Sequence, residues 1–224
     1  AAGGPAFCET DADIAQAMAS IWEYLNQCSG DERVAAVDLE GNLGGRNGHV
    51  DTLQISLDIS ETDRLTYVFD CNNRILLDAY GPQSMRALLE DPSIIKIFHC
   101  CQGDTSTLYW EYDISSRGVF DTAVADCLIR GTMSVKGLEK VLIAYLGHKA
   151  VHLSMKGSLV HIPGMFAERP LPYHLFVYAY EDVTLCSQLY REQCKVLVQK
   201  GFLELCLTLS QQRAPPDSLP ALNK

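Results

Sequence analysis

One stretch limits what this chain can become more than any other: Val34-Ala35-Ala36-Val37-Asp38-Leu39-Glu40-Gly41, an apolar run that ends in two carboxylates. Small and β-branched residues in an unbroken run read as a strand buried on both faces, central in a sheet. Side chains alternate along a strand, so Asp38 and Glu40 point to the same side. Two acids together on a buried strand are costly unless a cation neutralises them or one stays protonated. A divalent metal is the simplest neutraliser, and the rest of the chain must then supply further oxygen ligands.

The 224 residues are enough for one good-sized domain. No apolar run is long enough to span a membrane, and no secretory signal is visible; residues 1–8 read as a linker. Nine cysteines without CxxC pairs or regular spacing fit reduced thiols in an intracellular protein, whether in cytoplasm, nucleus or an organelle. His99-Cys100-Cys101 is too tightly clustered for a zinc site. The formal charge of −10 argues against a domain that grips nucleic acid by charge alone. It leaves room for a nuclease whose carboxylates hold cations, with basic surface supplied by a protein partner or an additional domain.

Along the chain, Asp11 to Gln27 places Ile14, Met18, Ile21, Trp22 and Leu25 at helical spacing. The central strand at Arg33–Glu40 is followed by the glycine-rich stretch 41–48, which lacks the Lys-Ser/Thr ending of a P-loop. That stretch reads as a long hairpin loop, with Arg46 as a candidate substrate contact. Thr52–Asp58 and Leu65–Asp70 alternate apolar and polar residues, and the short links make the first three strands an antiparallel meander. A helix over Pro82–Asp91, a strand at Ile94–His99, a helix from Gly103 to Tyr112, a strand at Gly118–Phe120 and a helix at Asp121–Arg130 follow. Asp121 suits an N-cap better than a ligand. The pattern is an α/β fold: three antiparallel strands, then two parallel ones, flanked by helices. Beyond Val135 the chain reads as helical apart from residues 147–170, with one long helix over Tyr173–Lys200 and another over Phe202–Leu209. The proline-bearing residues 213–224 read as a disordered tail, which leaves 9–212 as the domain.

Two more acids sit where sheet and helix ends should meet. Asp104 follows the strand ending at His99, and Asp182 lies on a late helix with Tyr178 one turn before it. Three segments carry these groups: Val-Asp-Leu-Glu-Gly at 37–41, Ile-Phe-His-Cys-Cys-Gln-Gly-Asp at 97–104 and Tyr-Ala-Tyr-Glu-Asp at 178–182. Together they resemble the DEDD 3′–5′ exonucleases. The last has the Tyr-x-x-x-Asp form of the RNase D-like branch, and residues 40–55 look most like its Egalitarian-like, exonuclease-domain-containing subgroup. Phe120-Asp121-Thr122 and Arg169-Pro170-Leu171 match as well. The resemblance covers residues 9 to 195.

That resemblance implies a ribonuclease H-like fold and hydrolysis from a 3′ end assisted by two divalent ions, Mg²⁺ or Mn²⁺. It implies Asp38, Glu40, Asp104 and Asp182 as metal ligands, Asp38 being shared, and Tyr178 as the group that orients the attacking water. His99, Arg46 and Lys156 fall where substrate contacts would lie. Single-stranded RNA is the implied substrate, ahead of DNA; an RNA-complex adaptor that keeps the fold with little activity is the alternative. Cys100 and Phe166 depart from residues common in relatives, and neither removes a ligand. His148 and His152, one helical turn apart, read as surface histidines because the metalloprotease glutamate is missing.

Overall fold

A computed structural model describes residues 4–147, 162 and 164–214. Its sheet has six strands in the order β1-β4-β3-β2-β5-β6. These are β1 (Ala6–Cys8), β2 (Val34–Asn42), β3 (His49–Asp58), β4 (Arg64–Asp70), β5 (Ile95–Phe98) and β6 (Val119–Asp121). β2, β3 and β4 form the antiparallel meander, while β5 joins β2, and β6 joins β5, in parallel. The mixed α/β sheet is therefore as the sequence implies, with one addition. Residues 6–8, read above as linker, add β1 in parallel to the outer edge of β4. Three residues flanked by glycine and proline give no periodicity to detect.

β2 divides two cores. Ala35, Val37 and Leu39 face one cluster with α1 (Asp11–Gln27), α3 (Met85–Glu90) and α4 (Gln102–Tyr112). Val34 and Ala36 face the other, with α5 (Thr122–Arg130), α6 (Leu138–Leu146) and α8 (Cys186–Lys200). Strand alternation therefore sends Asp38 and Glu40 to the second side, where α7 (Tyr173–Thr184) packs. α1 starts on a capping box between Thr10 and Asp13, and Asp121 does cap α5 by accepting from the Ala123 N–H.

Two helix boundaries differ from the sequence expectation. Tyr173–Lys200 is two helices, α7 and α8, separated at Leu185. No glycine or proline marks that break, so periodicity alone runs through it. The last helix, α9 (Leu203–Arg213), includes Arg213, which pairs with buried Asp121, and the next residue, Ala214, is buried. The packed region thus extends past the residue at which the tail was expected to begin. A short helix, α2 (Ile75–Asp78), was also not foreseen. Among the described residues no helix is long and apolar enough to cross a membrane, and all nine cysteines are free thiols.

Candidate active site

The site forms where β2 runs past the end of β5. Their parallel pairing covers Val34–Ala36, so the next residues of β2 lie beyond it. The N–H of Leu39 donates instead to Asp104 Oδ1 of α4 at 3.2 Å. Asp104 thus docks between the two acids of β2. Opposite them, α7 delivers Asp182, and one ligand oxygen from each of Asp38, Glu40 and Asp182 lies within 4.8 Å of the others. Glu40 and Asp182 are buried and Asp38 is half-buried. Asp104 adjoins this trio through Leu39 but is not one of the three oxygens so grouped.

A β-bulge between Glu40 and Gly41 shifts the register with β3 directly after the second acid, and pairing resumes at Gly41 with Val50. Gly41 has φ +151°, and a Cβ there would stand 2.2 Å from the His49 carbonyl oxygen. Only glycine permits this close approach.

Electrostatics fit a set of oxygens built for a cation. Burial pushes the Asp104 carboxyl up to about 7, against the lowering effect of its own backbone N–H and that of Leu39, while Asp121 adds to the rise. Tyr178 is raised too, by burial first and then by the charges of Asp182, Glu40 and Asp38. Its phenol is therefore protonated at neutral pH and acts as a hydrogen-bonding group rather than a base. Three convergent carboxylates are hard oxygen donors of the kind Mg²⁺ and Mn²⁺ take, so the residues present fit a divalent ion.

The other sequence candidates make these contacts. The Nδ1 of His99 meets Thr122 Oγ1 at 2.8 Å, and its Nε2 lies 2.9 Å from the Lys136 carbonyl. The imidazole thereby ties the start of α5 to the following loop. Arg46 lies over the Trp110 ring at 4.4 Å. Its loop is pinned to α4 by Gly44 N–H donating to Thr107 Oγ1 and Gly45 N–H donating to Ser106 Oγ. Lys156, His148 and His152 lie outside the described residues.

Two supporting residues, Arg169 and Phe166, enter the sequence reading only as a family match and a departure, with no contact assigned. Arg169 donates through Nε to Asp70 Oδ2 at 2.9 Å and through Nη2 to Asp70 Oδ1, and reaches the carbonyls of Phe166, Glu168 and Asp51. This clamp ties the segment leading into α7 onto β3 and β4. Phe166 is buried with its ring 5.9 Å from that of Tyr178. The Arg-Pro-Leu match pointed to the region, but a sequence does not reveal which acid an arginine will meet.

Comparison with known proteins fixes the family. A family model described as 3′-5′ exonuclease matches residues 12–197, most of the chain. The chain belongs to this 3′-5′ exonuclease family. Its fold is that of the RNase D-like DEDD exonucleases that the segments quoted above resemble, as the solved structures show. The chain is 29% identical to the piRNA biogenesis protein EXD1 of Bombyx mori over 142 residues, a match that spans 61% of this chain and 42% of that protein. Among solved structures, the catalytic core of RRP6 from Trypanosoma brucei superposes with a TM-score of 0.71 at 20% identity, over 93% of this chain and 52% of that one. The T. brucei RNase D complex with RNA U12 gives 0.70 at 21% identity, over 94% and 69%. Brucella melitensis NrnC with bound Mg²⁺ gives 0.62 at 23% identity, over 81% and 83%. The chain spans less than half of the curated relative it matches and about half of the RRP6 core.

Proposed function

We propose that this chain is a metal-dependent 3′–5′ exoribonuclease that hydrolyses single-stranded RNA from its 3′ end by a two-metal mechanism. One observation carries the reading: Asp38, Glu40 and Asp182 converge within 4.8 Å, with Asp104 docked on the backbone between the first two. Asp38, Glu40 and Asp182 would hold one divalent ion, and Asp38 with Asp104 a second. Bound there, such ions supply an acidified water and neutralise charge on the leaving 3′ oxygen. Tyr178, kept protonated by burial and its acidic neighbours, donates a hydrogen bond that orients the attacking water. Phe166 supports its ring from behind.

RNA is favoured over DNA because one relative is named for piRNA biogenesis and a structural neighbour was solved with RNA U12. Arg46 stacked on exposed Trp110 offers a face on which an unpaired base can stack. The charge of −10 supports a basic partner or additional domain that helps hold the substrate; it is also what favours the second reading, an adaptor that keeps the fold with little activity.

Matched 5′-labelled RNA and DNA oligonucleotides incubated with Mn²⁺ or Mg²⁺ test the proposal. The expected result is RNA shortened progressively from its 3′ end, with Asp38→Ala inert. Equal persistence of RNA with wild type and Asp38→Ala supports the adaptor, and faster loss of DNA overturns the substrate assignment.

A further inference from the structure

The family match ends at residue 197, yet α9 beyond it reaches the foundations of the site. β6 is an outer strand of the sheet, and its free edge faces α9. Ser210 Oγ accepts from the Asp121 N–H at 3.0 Å, and Gln211 Oε1 accepts from the Val119 N–H at 3.3 Å. Gln211 also donates to the Ser116 carbonyl at 2.9 Å. Two side chains of a helix thus stand in for the next strand of a sheet.

Asp121 passes this anchoring inward. Its carboxylate is fully buried and accepts from Cys100 N–H at 2.9 Å and from Cys101 N–H at 3.1 Å. Those two residues form the turn from β5 into α4, and Cys100 has φ +64°, a left-handed conformation uncommon outside glycine. Such a backbone persists only when its surroundings hold it. Three residues further on stands Asp104. Arg213 Nε lies 3.2 Å from Asp121 Oδ2, an ion pair without hydrogen-bond alignment, so its contribution is neutralisation rather than a directed bond. A carboxylate this deep needs a compensating cation.

We infer that α9, through Ser210 and Arg213 acting on Asp121, positions Asp104 for divalent-ion binding. On this account Asp121, Ser210 and Arg213 are positioning residues, and competence of the site depends on a helix outside the family-matched region. The inference rests on the proposal that Asp104 is a metal-binding acid.

Arg213→Ala, Arg213→Lys and Ser210→Ala, made in the full chain, test it through three readouts. The first is amide hydrogen exchange over residues 99–104 compared with β2–β4. The second is Mn²⁺ affinity by calorimetry without RNA, and the third is the Mn²⁺ dependence of RNA cleavage. Losing charge compensation at a buried hydrogen-bonded acid should accelerate exchange over 99–104 by about tenfold in Arg213→Ala, leaving β2–β4 unchanged. Mn²⁺ affinity should fall by about threefold to tenfold, at an unchanged KM for RNA. Arg213→Lys should recover most of both, because the contact is electrostatic, and Ser210→Ala should move both in the same direction by less. Wild-type exchange and affinity in Arg213→Ala overturn the inference, as does a uniform rise in exchange across the sheet. A wild type that binds Mn²⁺ but leaves RNA intact refutes the proposed function alone, because the exchange and calorimetric readouts do not depend on cleavage.

Discussion

Replacing Arg169 with methionine should destabilise the fold far more than a typical loop substitution. The guanidinium makes two hydrogen bonds to Asp70, whose side chain is only 7% exposed, and reaches three backbone carbonyls. Methionine fills much of the same volume but leaves Asp70 without its cation. Breaking a buried pair from one side costs ~3–5 kcal/mol. Asp70 Oδ1 keeps the Asn72 N–H at 2.9 Å, which places the loss near the lower end. Asp51 loses relief as well: burial, the first cause, raises its carboxyl, and Arg169 opposes that rise. About 3 kcal/mol corresponds to a fall in Tm of ~6–12 °C for a domain of this size. Thermal melts of wild type, Arg169→Met, Asp70→Asn and the double variant, all without metal, measure it. The cycle should show coupling above ~1 kcal/mol. A fall in Tm below ~2 °C, or additive single variants, would refute the clamp.

Three further outcomes follow from particular contacts. Burial drives the Lys96 ammonium down to about 7, with Asp91 opposing the shift and Arg33 adding to it. The unfolded chain then binds more protons between pH 7 and the usual lysine range, so this group adds stability as pH rises through that window. Chemical denaturation at pH 7 and pH 10 should find Lys96→Met the more stable protein at pH 7, by a few kcal/mol at most, with the gap closing at pH 10. Gly41→Ala forces a Cβ to within 2.2 Å of the His49 carbonyl; denaturant titration should show a loss of at least ~1–3 kcal/mol, and cleavage assays a fall in kcat. Trp110→Ala should weaken oligonucleotide binding by ~1–3 kcal/mol in fluorescence titration while shifting Tm little.

Much of the fold was legible because it follows from alternation and helical spacing. The Val34–Glu40 run had to be central, and its period of two had to bring Asp38 and Glu40 to one side. What escaped were features without a period. β1 is three residues long, and the break at Leu185 carries no glycine or proline. In the site, the shared side of Asp38 and Glu40 and the helical step from Tyr178 to Asp182 were readable. Their convergence was carried by resemblance alone. Asp121 shows the limit most clearly. Its position before Thr122 announced an N-cap, and it is one. Its bonds to Cys100 and Cys101 and its pairing with Arg213 come from segments 20 and 92 positions away, which no local pattern encodes.

The most direct test of the metal site is anomalous diffraction from crystals of this chain soaked in Mn²⁺. Two manganese peaks adjoining Asp38, one shared with Glu40 and Asp182 and the other with Asp104, are the predicted result. Crystals that bind manganese elsewhere but show no peak at Asp38 would contradict a two-metal exonuclease site in this chain.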